Sequence, residues 1–185
     1  MVFGGLASAA VTGALACTLA GDALLVPHWS VQAEGTMACD LDGDATPDEL
    51  HLERHRLCAI VDGDLVPGTS PAWIVSQAFS ADIDGDDVDE AIVLFWRRGS
   101  YGSSHPFWLE GEDDDLCQHV SVMSWDGARL RQRWTSSALG AHVAQASFEN
   151  GLLMLEDTEG QLTRWEWDGW GFALVPWVPQ ENARP

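Results

Sequence analysis

Two short acidic stretches of this sequence have the residue types and the spacing of a site for a hard metal ion. The first stretch, DLDGDATPDE, carries carboxylates at loop positions 1, 3, 5 and 9, and a residue at position 7 that can offer its backbone carbonyl. These residues are Asp40, Asp42, Asp44 and Asp48, with Thr46 at position 7. Carboxylates this close repel one another unless a cation neutralises them. We name residues 40–48 loop one.

The second stretch, DIDGDDVDE, repeats the pattern, and we name residues 82–90 loop two. Its carboxylates and its position-7 residue are Asp82, Asp84, Asp86 and Glu90, with Val88 at position 7. Calcium accepts six to eight oxygens in a flexible geometry, whereas magnesium requires a tight octahedron. Transition metals favour His or Cys ligands. The two loops therefore predict two calcium sites.

These loops differ from the calcium loop that connects two helices. That loop needs Gly at position 6 and Glu at position 12. Here position 6 is Ala45 or Asp87, and position 12 is His51 or Val93. The residues that follow have the pattern of a strand instead of a helix, so the helical interpretation fails.

The acidic loops belong to a longer repeat. Asp40 and Asp82 begin the two loops 42 residues apart, and the same step separates the Trp-Asp-Gly triplets that begin at Trp125 and Trp167. Two unrelated motifs that share one period indicate repeated structural units. A period of about 40 to 45 residues is the size of a four-stranded propeller blade.

The elements that must position the loops have the patterns of strands. Leu50 and Leu52 alternate with polar residues, and the apolar runs 91–96 and 152–155 predict buried strands. The Asp-Gly pairs that start at residues 62, 126 and 168 predict hairpin turns. No segment has a helical period. The sequence therefore predicts an all-β protein.

We divide the chain into three units, which cover about residues 29–72, 73–134 and 135–177 and open near Trp29, Trp73 and Trp134. Unit two carries an insertion of about 22 residues in RRGSYGSSHPFWLEGEDDDLC, and long insertions of this kind are often functional or mobile. Unit three lacks an acidic loop, because SFENGLLMLED stands in its place.

The DxDGDxxxD/E loop before a strand, repeated near 42 residues with a Trp-Asp-Gly hairpin between, resembles the FG-GAP or VCBS repeats of integrin-like β-propellers. The resemblance covers about residues 29–177. It implies calcium held structurally between the strands of a blade, in extracellular adhesion or binding modules. Complete propellers have about 4 to 8 blades. We therefore expect a partial or fragmentary β-propeller-like array of about three blade units.

The charge of the chain limits its partners. Against 29 Asp and Glu there are nine Lys and Arg, which gives a net charge of −20. This charge repels nucleic acids and anionic membrane surfaces. We expect a protein or glycan ligand and no nucleic acid.

The beginning of the chain resembles an export segment. Residues 1–21 are uncharged, and Ala14-Leu15-Ala16 precedes Cys17 as at a signal-peptide or lipoprotein cleavage site. A lipid on Cys17 would then be the only membrane attachment. The segment lacks a basic start, so an apolar first strand is the alternative interpretation. In an exported chain four cysteines allow three disulfide pairings, of which Cys39 with Cys58 is favoured.

The function expected from these features is an exported, secreted or cell-surface calcium-binding β-repeat module with a structural, adhesion or ligand-binding role. No nucleophile elbow or phosphate-binding glycine loop is present, which favours a non-enzymatic protein. The alternative is a carbohydrate-active hydrolase, or its accessory domain, that uses the unit-two insertion and Trp108 as a substrate cleft. A zinc site at His51, Glu53 and His55 is less favoured than an exposed polar strand face.

Overall fold

Three antiparallel sheets of four strands each make up the fold. The computed structural model describes residues 34–101 and 113–176. In each sheet the strands lie side by side in chain order. The first sheet contains β1 (Gly35–Cys39), β2 (Asp48–Glu53), β3 (Arg56–Val61) and β4 (Asp64–Pro67). The second contains β5 (Ile74–Ala81), β6 (Glu90–Arg98), β7 (Leu116–Trp125) and β8 (Leu130–Thr135). The third contains β9 (Val143–Glu149), β10 (Leu152–Asp157), β11 (Leu162–Trp167) and β12 (Phe172–Leu174).

The described residues contain only strands, turns and irregular segments, so the all-β prediction is confirmed. A closed ring of blades is not seen in these residues, and the propeller-like arrangement stays a prediction. None of the described segments is a helix long and apolar enough to cross a membrane. The predicted leader 1–21 with Cys17, the first-unit Trp29 and the candidate ligand residue Trp108 lie outside the described residues.

The predicted hairpin turns are confirmed. The Asp-Gly pairs that begin at residues 62, 126 and 168 lie between β3 and β4, between β7 and β8, and between β11 and β12. In the third sheet, Asn150 and Gly151 form a two-residue turn between β9 and β10, with φ angles of 53° and 78°. Both residues have the positive φ that a type I′ turn requires. A tight turn therefore replaces the acidic loop that precedes the second strand of the other two sheets.

The central strand β6 is buried on both faces. On one face Val93 and Phe95 join the core between the first and second sheets, and on the other Ile92 and Leu94 join the core between the second and third. The prediction of a buried strand at 91–96 is therefore confirmed. The run 152–155 also forms a strand, but only Leu153 and Leu155 are fully buried there, whereas Leu152 and Met154 are partly buried.

Two glutamine side chains attach the third sheet to the second. Gln118 accepts a hydrogen bond from the Val143 N–H at 2.7 Å and donates one to the Val143 carbonyl at 2.9 Å. Gln77 accepts from the Ala146 N–H at 2.9 Å and donates to the Ala144 carbonyl at 2.7 Å. The strand β9 lies at the edge of its sheet. The two amides thus satisfy backbone groups that would otherwise be buried without partners.

The predicted disulfide between Cys39 and Cys58 is wrong, because both are free thiols. In the strand ladders Cys39 lies opposite Asp48, and Cys58 lies opposite His51. Asp48 and His51 are three positions apart on β2, so their side chains point to opposite faces of the sheet. The two thiols are therefore separated by the sheet itself. Burial, with nearby carboxylates, raises the pKa of the Cys39 thiol to about 12.

Candidate metal centre

Loops one and two wrap around their first aspartate in the same way. The Asp40 carboxylate accepts hydrogen bonds from the Gly43 N–H at 2.8 Å and from the Ala45 N–H at 3.0 Å. At the corresponding positions of loop two, the Asp82 carboxylate accepts hydrogen bonds from the Gly85 N–H at 2.7 Å and from the Asp87 N–H at 3.0 Å. The shared motif therefore produces the same local structure twice.

The wrapping requires left-handed backbone at loop positions 4 and 6. In loop one Gly43 and Ala45 have φ angles of 77° and 63°, and in loop two Gly85 and Asp87 have angles of 78° and 66°. Glycine adopts this conformation at little cost, which explains its place in both loops. At Gly43 a Cβ atom would also lie 2.9 Å from the Val88 side chain, so the two loops are in close contact.

The acid at position 9 is the first residue of a strand and is buried in both loops. Asp48 is 5% exposed and Glu90 is 3% exposed. Asp48 accepts a hydrogen bond from the Leu41 N–H at 2.9 Å, and Glu90 accepts one from the Ile83 N–H at 3.3 Å. Leu41 and Ile83 are themselves core residues, so position 2 holds each loop against the sheet.

Burial changes the acidity of these carboxyls. Desolvation raises the pKa of Asp48, the Leu41 N–H opposes this, and the Asp42 charge adds to it. Desolvation also raises the pKa of Glu90, although its hydrogen bond from the chain and its ion pair lower it in part. At Asp82 desolvation is outweighed by hydrogen bonds from the backbone N–H groups of the loop, and the pKa is lowered. Asp82 therefore favours the ionised form that a cation needs.

Loop one gathers its carboxylates into two groups that share Asp42. Ligand oxygens within 4.8 Å of one another come from Asp40, Asp42 and Asp48 in one group and from Asp42, Asp44 and Asp62 in the other. Asp62 lies in the turn between β3 and β4, and sequence reasoning identified it only as a turn residue. The sequence indicated only that Asp62 lies in the same repeat unit as loop one. The pairing of the strands is needed to bring its carboxylate to the loop.

Loop two gathers three of its predicted carboxylates, from Asp82, Asp84 and Asp86. Glu90 does not belong to this group. One of its oxygens accepts from the Ile83 N–H, and the other pairs with Arg133 at 2.5 Å. The position-7 residues, Thr46 in loop one and Val88 in loop two, donate their N–H groups to the position-5 aspartates.

Direct hydrogen bonds join the two loops. The Asp89 N–H donates to the Asp40 carbonyl at 2.7 Å, and the Asp40 N–H donates to the Asp89 carboxylate at 3.1 Å. A cleft of about 590 Å³ lies beside this junction. It is lined by both loops and by the β7–β8 hairpin, which includes Trp125 and Asp126. The candidate metal centre is therefore also part of the contact between the first and second sheets.

The less favoured zinc interpretation finds no support in the positions of its residues. His51 pairs with Glu49 at 2.7 Å, whereas His55 lies in the turn after β2 and contacts the Val75 carbonyl at 3.1 Å. In the parts of the chain that the structure describes, His51, Glu53 and His55 do not form one of the groups able to hold a metal.

Searches of protein-family models, curated proteins and solved structures find no match to this chain.

The residues of loop one fit a hard cation. The gathered ligand atoms are all carboxylate oxygens, which calcium and magnesium prefer, and no thiol or imidazole belongs to the group. Backbone N–H groups donate hydrogen bonds to several of these carboxylates and hold them in place. The aspartates are therefore oriented before an ion binds. Loop two offers the same chemistry with three gathered carboxylates, whereas loop one has five.

Proposed function

We propose that this chain is a calcium-binding β-repeat module without catalytic activity, in which loops one and two each hold one calcium ion. The observation that carries the proposal is the shared wrapping of Asp40 and Asp82. In each loop, backbone N–H groups orient the first aspartate so that the carboxylates at positions 1 and 3 lie within 4.8 Å of one another. Carboxylates held this close repel one another, and a divalent cation removes the repulsion.

The proposed role of calcium is structural. Loop one precedes β2, loop two precedes β6, and the Asp40–Asp89 hydrogen bonds connect them. An ion in either loop would fix the start of a strand and the contact between two sheets. The net charge of −20 makes this neutralisation favourable over the whole chain.

We further propose that the module belongs to the FG-GAP or VCBS type, with a propeller-like arrangement of its sheets. The 42-residue spacing of the acidic loops and the four-stranded form of each sheet support this. Extracellular modules bind calcium with a Kd of about 10⁻⁴ to 10⁻³ M, which suits an exported protein. A protein or glycan ligand is the proposed partner.

Calorimetric titration of the full chain tests the calcium proposal. We expect calcium to bind with a Kd on the order of 10⁻⁴ to 10⁻³ M, and magnesium to bind much more weakly because it requires a tight octahedron. Asp42→Asn should weaken binding, since Asp42 belongs to both groups of loop one. Glu156→Gln removes the same charge from an exposed position on the third sheet and serves as the control. A parent chain that binds no calcium at millimolar concentration refutes the proposal.

Calcium binding should also weaken as the pH falls. Burial raises the pKa of Asp48, and only the ionised carboxylate is a calcium ligand. Because the folded-state pKa of Asp48 is raised, ionised Asp48 lowers the free energy of unfolding of the calcium-free chain. This loss of stability grows as the pH rises through the raised pKa. Calcium offsets the loss, so its benefit is greatest near neutral pH and is lost in acid.

Titrations between about pH 7 and about pH 4 measure this dependence. The Asp48→Asn variant should bind more weakly near neutral pH and should have a flatter pH profile than the parent. Equal profiles for the two proteins contradict the assignment of Asp48 as a ligand.

A further inference from the structure

Among the described residues, one arginine side chain reaches loop two from another strand. Arg133 on β8 pairs through one guanidinium nitrogen with Glu90 at 2.5 Å and through a second with Asp84 at 2.6 Å. Its guanidinium carbon also lies 5.1 Å from the centre of the Trp167 ring on β11. The side chain is about one-third exposed, at 32%. Arg133 therefore links the acidic loop of the second sheet to an aromatic side chain of the third.

The corresponding surroundings of loop one are different. There the β3–β4 turn contributes a further carboxylate, Asp62, and one oxygen of Asp48 joins those of Asp40 and Asp42. Within residues 34–101 and 113–176, no ion pair joins an arginine to loop one. The first sheet thus adds negative charge to its loop, whereas the second sheet adds a positive group.

We infer that Arg133 is a tethered cation that competes with calcium for loop two, so that loop one is the tighter site and loop two the weaker one. This inference rests on the proposed calcium-binding function. The guanidinium already offsets one of the two negative charges of Asp84 and Glu90, and its planar fork bonds to both carboxylates at once. A calcium ion must therefore separate Arg133 from Asp84 or bind with fewer ligands. In either case part of the attraction between ion and loop is lost.

The same geometry couples loop two to the third sheet. If calcium displaces Arg133, the guanidinium also changes its position over Trp167, because one rigid group makes all three contacts. Occupation of loop two should then change the tryptophan fluorescence of the chain. Occupation of loop one has no such connection through Arg133.

The test compares two variants of the full chain that remove the same charge from the same strand. Arg133→Gln removes the competing group, whereas Arg131→Gln removes a 65% exposed arginine that pairs with Asp126 outside loop two. In calorimetric calcium titrations the parent should show two binding events, and the Kd of the second event should be at least about tenfold higher than that of the first. In Arg133→Gln the Kd of the second event should fall by about tenfold or more, and in Arg131→Gln it should stay within about twofold of the parent value.

An additional Asp84→Asn substitution in the Arg133→Gln chain should abolish the second event and thereby assign it to loop two. If Arg133→Gln does not fold without calcium, recovery of its β circular dichroism on calcium addition supports the inference. In that case Arg133→Lys supplies the binding comparison. Lysine keeps the positive charge but lacks the planar fork of arginine. The Kd of the second event in Arg133→Lys should therefore be lower than in the parent and in Arg131→Gln.

Two failures can be told apart. Equal second-event affinities in Arg133→Gln and Arg131→Gln, with the first event intact, overturn the role of Arg133 and leave calcium binding in place. The absence of any calcium binding by the parent and by Arg133→Gln overturns the proposed function and this inference together.

Discussion

Calcium at a hundredfold excess over its Kd is expected to raise the melting temperature of this chain by about 5 to 10 °C. A ligand that binds only the folded state stabilises it by RT ln(1 + [L]/Kd), which is about 2.7 kcal/mol at a hundredfold excess over Kd. For a chain of this size each kcal/mol corresponds to about 2 to 4 °C. Two ions would change the net charge from −20 to about −16 and would relieve the repulsion inside both loops. Thermal unfolding followed by circular dichroism, with and without calcium, measures the shift.

Asp42→Ala should remove the larger part of this gain. Asp42 is shared by both carboxylate groups of loop one, whereas Asp84 belongs to one group and is already paired with Arg133. Asp84→Ala should therefore remove a smaller part. The control Glu156→Ala should keep the full calcium response, since it is an exposed acid on the third sheet. If Asp42→Ala and Asp84→Ala both respond to calcium as the parent does, the two loops are merely acidic turns.

Phe95→Ala is expected to destabilise the chain by about 3 to 5 kcal/mol. Phe95 is 0% exposed in the middle of β6, and its ring stacks on Trp73 with the centroids 3.8 Å apart. Removal of the ring leaves a cavity between the first and second sheets and takes the partner from Trp73. Because β6 begins where loop two ends, local loosening of this strand should weaken calcium binding as well.

Urea unfolding at fixed calcium concentration measures this loss of stability. Leu65→Ala is the control, because Leu65 is 69% exposed and such substitutions change stability by about 0.5 kcal/mol or less. A Phe95→Ala chain that unfolds at the same urea concentration as Leu65→Ala contradicts the central position of β6 in the core.

Local chemistry explains which parts of the fold the sequence could predict. The Asp-Gly turns and the wrapped loops depend on hydrogen bonds between residues at most five positions apart, such as Ala45 with Asp40. Alternation in β2 and the apolar run in β6 depend only on the period of a strand. Trp165 and Trp167 pack against the core between the second and third sheets, because residues two positions apart on a strand point to the same face.

The contribution of the sequence alone is therefore the strand content, the turns and the two acidic loops with their carboxylates. The tertiary structure decided how each loop is completed. It placed Asp62 beside loop one and Arg133 beside loop two, and it put Cys39 and Cys58 on opposite faces of one sheet. Asp62 and Arg133 lie 18 to 49 positions from the loop carboxylates beside them, and they meet these carboxylates only after the strands have paired and the sheets have packed. The spacing of residues in a motif fixes local geometry, whereas contacts between distant residues depend on strand register and sheet packing, which no short motif encodes.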